Sequence, residues 1–232
     1  MSSDERNAAQ LQRIYRTRFE KTHAYRADVW RILITEFFGK FIRPTDAVLD
    51  LGSGFGEFIN NVSCQTKFAM DLNPDSGAAL APEVKFLQQN CADVWHLPDA
   101  SLDVVFTSNF FEHLPNKDAL SHTLEQAWRC LMPSGRLIAM GPNIRRVQAA
   151  YWDFWDHHIA LTHLSLQEVL LLHNFRIEQA WESFMPYTLV DSPRYPLILL
   201  RIYLRLPLAW RILGRQFLII ARKPELGSGV IG

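Results

Sequence analysis

The segment Asp50-Leu51-Gly52-Ser53-Gly54-Phe55-Gly56 sets three glycines at alternate positions directly after a short apolar stretch, Ala47 to Leu49. Glycine accepts positive φ and carries no Cβ, so such a turn bends sharply and lets a ligand come close to the backbone. A helix starting behind it would add free amides and the positive end of a dipole. The spacing is GxGxG rather than the GxGxxG of dinucleotide sites. The alternative is a tight strand–helix turn that binds nothing.

A second group of residues is suited to proton transfer. Of the eight histidines, His157, His158 and His163 fall close together in the sequence and are grouped with His113 from further upstream, with Asp153 and Asp156 among them and Tyr151, Trp152, Phe154 and Trp155 supplying aromatic surface. Imidazole titrates near neutrality and is the commonest general base for that reason. The alternative is a packed aromatic loop with histidines on its surface.

Both groups need a scaffold, and the hydrophobic pattern describes one. Residues 4–40 carry apolar side chains at three- and four-residue spacing (Leu11, Ile14, Tyr15, Phe19, then Val29, Trp30, Leu33, Ile34, Phe37), which predicts helix ending by Gly39 and Pro44. Strands are expected at 46–50, 67–72, 84–88, 102–107, 136–140, 176–184 and 217–221. Helices are expected from 57–63, over 118–131 and over 165–173, the last with a Ser165/Glu168 capping box. Strands alternating with helices imply a doubly wound, mostly parallel α/β sheet with helices on both faces. The domain reading is a helical cap over 1–44, a main domain over 45–224 with an insertion at 187–216, and a loose tail over 225–232.

Composition narrows the function classes. Hydrophobic residues make up 48% and charged residues 21%, enough apolar surface for a large core. Lys plus Arg is 24 and Asp plus Glu is 24, so no overall charge points to nucleic acid. Cys64, Cys91 and Cys130 are isolated, and no Cys/His pairs have zinc spacing, so no metal is expected. The polar N-terminus and the isolated cysteines read as a cytoplasmic protein.

With Val48 to Gly56 come further segments in a fixed order: Met70-Asp71-Leu72-Asn73, Asn90-Cys91-Ala92-Asp93-Val94, Ser101 to His113 with its Glu-His-Leu ending, and Leu131-Met132-Pro133-Ser134-Gly135. In these the chain resembles class I S-adenosylmethionine-dependent methyltransferases, narrowly the small-molecule group often classed as type 11, over 45–142 well and 160–222 loosely. Ser134 replaces a glycine of that pattern. The resemblance implies a seven-stranded Rossmann-like sheet with an antiparallel last strand. It also implies a cofactor site of Asp50, Gly52, Ser53, Gly54, Gly56, Asp71, Leu72, Asp93, Val94 and Asn109. There Asp71 would take the ribose hydroxyls, Asp93 the adenine amine, Leu72 and Val94 the purine faces, and the backbone of Gly52 and Gly54 the amino-acid end, through amides left bare. Asn109 would lie beside the sulfonium methyl.

Methyl transfer is an in-line displacement helped mainly by positioning. A hydroxyl acceptor, such as a sugar or a lipid-linked precursor, also needs a base, for which His113 and His157 are the candidates, with Tyr151 to His163 lining the acceptor pocket. The insertion at 187–216 is rich in leucine and isoleucine and carries Arg201, Arg205, Arg211 and Arg215. It reads either as lid helices or, through 195–215, as a peripheral membrane contact at the inner face of a membrane. The competing functions are a nicotinamide-dependent oxidoreductase on a similar fold and a non-catalytic scaffold that binds a partner.

Overall fold

The structure is a computed structural model, and it describes residues 12–13, 23–187 and 195–225. Leu11, Ile14, Tyr15, Phe19 and the 226–232 part of the tail lie outside them. Seven strands run in the order β3-β2-β1-β4-β5-β7-β6. They are β1 (Ala47–Leu51), β2 (Thr66–Met70), β3 (Val84–Leu87), β4 (Leu102–Ser108), β5 (Leu131–Pro142), β6 (Arg176–Trp181) and β7 (Gln216–Arg222). Neighbours from β3 through β5 are parallel, while β7 runs antiparallel to both β5 and β6. This is the seven-stranded, mostly parallel doubly wound sheet expected from the sequence. The strand order reverses direction between β1 and β4, the place where such sheets open a crevice.

The strands are apolar at consecutive positions because both faces are covered. Val48, Val104, Phe106, Ile138, Met140, Leu218 and Ile220 pack on one face. Leu49, Val105, Leu137, Ala139 and Ile219 pack on the other. Alternate residues point to opposite faces, so each strand feeds two cores. Helices α1 (His23–Glu36), α6 (Leu197–Leu204) and α7 (Pro207–Leu213) share the first face. There Trp30, Phe38, Phe58 and Phe106 form an aromatic cluster, with Phe58 and Phe106 stacked at 3.6 Å. Helices α3 (Lys117–Cys130) and α5 (His163–Leu172) cover the second. Two single-turn helices, α2 (Ser76–Ala79) and α4 (Ile144–Val147), lie in loops.

Several boundaries differ from the sequence reading. No helix follows β1: residues 57–61 form hydrogen-bonded turns, with Asn60 N on Gly56 O and Val62 N on Phe58 O. The backbone of Ile59 is drawn to the Asp50 carboxyl instead of continuing a helical ladder. Helix α5 starts at His163, not Ser165, because the capping box is Thr162 with Ser165: Ser165 N donates to Thr162 Oγ1 at 3.0 Å, and Thr162 N to Ser165 Oγ at 2.9 Å. Strand β6 stops at Trp181, and Phe184 turns into the core, its amide on Gln216 O at 2.7 Å. Within the insertion, Leu204 and Trp210 are buried, and Arg201 and Arg205 both reach Glu36 of α1.

Candidate active site

The C-terminal ends of β1 to β5 carry every residue of interest. Gly52, Gly54 and Gly56 all have positive φ, +72°, +53° and +72°. Their amides are not bare, which corrects the sequence expectation. Gly52 N and Ser53 N donate to Met70 O, Gly54 N to Asp71 Oδ2 at 2.8 Å, and Gly56 N to Ser53 O. The missing Cβ atoms serve close packing: one on Gly52 would stand 2.3 Å from the Phe110 ring, and one on Gly56 would stand 2.6 Å from Leu80. The loop is a cradle closed by its own bonds and covered by Phe110.

Asp71 is the hinge of that cradle. Oδ2 accepts from Gly54, Oδ1 accepts from Asn73 N at 2.8 Å, and the carboxyl is buried. Burial pushes its pKa up to about 6, against the lowering effect of the amides of Asn73, Gly54 and Leu72. Asp50 is also buried, and burial together with the nearby Glu57 carboxylate raises its pKa well above the ordinary range. Against these, a hydrogen bond from the Ile59 backbone lowers it and anchors the turn. Glu57 pairs with Arg26 of α1 at 2.8 Å, which ties the N-terminal helix to the loop.

Three buried polar atoms on these two turns have no hydrogen-bond partner among the described residues: Ser53 Oγ, Asn73 Nδ2 and Ser76 Oγ. Buried polar groups are normally satisfied, so unmet ones beside a strand-end crevice fit an arriving polar ligand. With the Asp71 carboxylate they suit the ribose and amino-acid parts of a nucleoside amino acid. Asp93 and Val94 are exposed on the loop after β3, Leu72 is half-buried, and the buried Cys91 on that loop feels the charges of both Asp71 and Asp93. Asn109 has φ +51° at the end of β4, its amide on Met140 O and its side chain on Ser108 Oγ.

Across from the cradle, the structure brings His113 and His157 together, with ring centroids 4.8 Å apart. Tyr151 and Phe154 pack on His157, and the Tyr151 hydroxyl donates to Ile159 O. His113 Nδ1 lies 2.9 Å from the Asp156 carbonyl oxygen and 3.2 Å from its carboxylate. Both are acceptors, so Nδ1 carries the proton and Nε2 keeps its lone pair in the neutral ring. Burial pulls the His113 pKa down, but the Asp156 hydrogen bond and the Glu112 and Asp156 charges outweigh it and hold it above the usual range. Glu112, buried beside Gly141, is pushed up to about 7 by burial.

Not every histidine of the group joins. His158 is exposed, and His163 meets Asn143 Nδ2 at 3.1 Å. Sequence reasoning missed Glu112 as a site residue although the Glu-His-Leu ending displays it. It also missed Phe110, Glu57 and Asn73, for which only their neighbours in space give a signal.

Residues 49–139 match the family model described as "Methyltransferase domain". A comparison with curated proteins gives no match. Among solved structures, a SAM-dependent methyltransferase from Archaeoglobus fulgidus is 20% identical with a TM-score of 0.65, covering 88% of this chain and 99% of the other. A chain of the complex between the Haloferax volcanii Trm112 methyltransferase activator and a methyltransferase is 16% identical with a TM-score of 0.65, covering 97% and 99%. The [4+2]-cyclase SpnF is 16% identical with a TM-score of 0.60, covering 86% and 81%. At these identities the likeness is one of fold, and a fold can host different chemistries.

Proposed function

We propose, from the premise that this chain carries a domain of the class I S-adenosylmethionine-dependent methyltransferase family, that it methylates a small-molecule acceptor held between the glycine cradle and the His113/His157 pair. One observation carries the reading: at the reversal between β1 and β4 the orphaned polar atoms and Asp71 stand on one side, and the paired His113 and His157 rings, with His113 held by the Asp156 carboxylate, stand on the other. S-adenosylmethionine supplies an electrophilic methyl whose carbon–sulfur pair stays on sulfur as the acceptor bond forms. The chain's part is to hold both reactants in line. Asp71 accepts the ribose hydroxyls, Asp93 with Leu72 and Val94 receives the adenine, Gly52, Ser53 and Gly54 meet the amino-acid end, and Asn109 borders the methyl. On the metal-free chain the Nε2 lone pair of His113 takes the acceptor proton, with His157 beside it and Tyr151 to His163 as the pocket wall.

Titration calorimetry with S-adenosylhomocysteine tests the premise, with one molecule bound per chain expected. Failure to bind, or binding of a nicotinamide dinucleotide instead, would overturn it.

The acceptor side has a lipid-facing version supported by a specific surface. Ile198, Ile202, Leu206, Leu208, Ile212 and Leu213 are exposed on α6, α7 and the turn between them. Arg146, Arg211 and Arg215 adjoin them, linked through the backbone of Arg211 and Arg146. No helix among the described residues is long and apolar enough to cross a membrane. An apolar face rimmed by arginine suits lying on an anionic bilayer, where a lipid-linked acceptor would be presented. Flotation with anionic vesicles tests this; protein left at the bottom of the gradient counts against it.

A further inference from the structure

We propose that Glu112, His113 and His157 form a site for one divalent transition-metal cation of the zinc or manganese kind. The proposal deepens the reading above, since it rests on this cluster being the acceptor end of the crevice. One ligand atom from each of the three residues lies within 4.8 Å of the others. A tetrahedral ion with bonds of about 2.1 Å holds its ligands about 3.4 Å apart, so a closure of about an ångström by side-chain rotation completes the set. His113 Nε2 is already 3.9 Å from Glu112 Oε1.

Two further observations point to a cation. The first is the way His113 is held. Metal-binding histidines usually donate the second ring N–H to a carbonyl or carboxylate, which fixes the tautomer and raises the basicity of the ligating nitrogen. His113 does this with Asp156 through both kinds of acceptor, which leaves Nε2 on the Glu112 side. The second is Glu112. It is 2% exposed, and among the described residues no lysine or arginine pairs with it. A buried carboxylate needs a neutralising partner or a proton. A cation shared with two imidazoles answers that need.

The cluster is also braced. Glu112 O accepts His158 N at 2.8 Å and Ile159 N at 3.2 Å, so the strand end carrying Glu112 and His113 is laced to the loop carrying His157. Two nitrogens and one carboxylate leave coordination positions open, as in sites that take a substrate or water as the remaining ligand. An acceptor oxygen placed there would lose its proton to solvent more readily, and His113 would then be a ligand and not the base.

The test titrates chelator-treated full-length chain with zinc chloride alone, and separately with S-adenosylhomocysteine. One zinc per chain is expected, weakened in Glu112→Gln and in His157→Ala by at least the roughly 10- to 100-fold that loss of an outer hydrogen-bond partner of a ligand already brings. Absence of stoichiometric binding with zinc and with manganese chloride, or zinc binding unchanged in both variants, would overturn the proposal. If a variant loses its thermal transition, X-ray absorption on the zinc-loaded unsubstituted chain decides. Two imidazole nitrogens and a carboxylate support the site, and any other ligand set rejects it. Zinc binding without S-adenosylhomocysteine binding sinks the methyl-transfer reading alone; the converse sinks the cation site alone.

Discussion

The amide of Gly54 donates to Oδ2 of Asp71 at 2.8 Å, so the loop after β1 and the carboxylate after β2 form one unit. Removing the carboxylate would loosen the cradle and, on the proposed reading, withdraw a ligand contact as well. Asp71→Ala is expected to weaken S-adenosylhomocysteine binding about 10- to 100-fold, since hydrogen bonds to a charged group contribute about 1.5–3 kcal/mol. Titration calorimetry at pH 7.5 (about neutral) checks it; an unchanged affinity would remove Asp71 from the site.

The same residue sets a pH dependence. Its folded pKa of about 6 lies above the ordinary 3.8, so the ionised form, which on the proposed reading takes the ribose hydroxyls, is lost as pH falls through about 6. Cofactor affinity should drop in that direction and flatten in Asp71→Asn. For the ligand-free chain the sign is opposite. The folded state binds the proton more tightly, so stability is greatest below 3.8 and declines as pH rises to about 6, by roughly 3 kcal/mol. Urea melts at a series of pH values read the slope, which Asp71→Asn should remove.

Gly52 combines φ of +72° with contact to Phe110. Gly52→Ala is expected to lower the melting temperature, with about 1–2 kcal/mol from the left-handed backbone alone and more from the collision. Adding Phe110→Ala should recover the collision part and leave the backbone part. Strict additivity of the two substitutions would show that the ring does not press on this glycine.

Asp156 accepts from His113 Nδ1 and so orients the ring. Asp156→Asn should lower kcat while leaving the KM for S-adenosylmethionine within about twofold, the pattern of a lost positioning contact. An equal loss in both parameters would mean that the pocket itself had collapsed.

Leu208 and Ile212 are 73% and 76% exposed. Leu208→Asp with Ile212→Asp should leave the melting temperature unchanged, since neither side chain is in the core, and abolish flotation with anionic vesicles. Flotation equal to that of the unsubstituted chain would move the lipid contact elsewhere.

Phe106 stacks on Phe58 in the centre of the first core. Phe106→Ala should cost about 3–5 kcal/mol by cavity formation. A chemical melt reads it directly.

The sequence alone determined the alternation of strands and helices, the turn glycines and the acidic strand tip, because these are local: a period of two, a missing Cβ and a chain reversal are written in neighbouring residues. It did not determine what the loop amides bond to. Gly52, Ser53 and Gly54 donate to Met70 and Asp71, and that pairing exists only once β2 lies beside β1. The same holds for the acceptor end. His113 and Asp156 are 43 residues apart, and two of the four grouped histidines turn away from them. Hydrogen-bond partners and buried charge are properties of space and not of spacing. So the glycine loop was legible as a pattern, while the Glu112–His113–His157 cluster was decided by how the loop after β5 folds back over the end of β4.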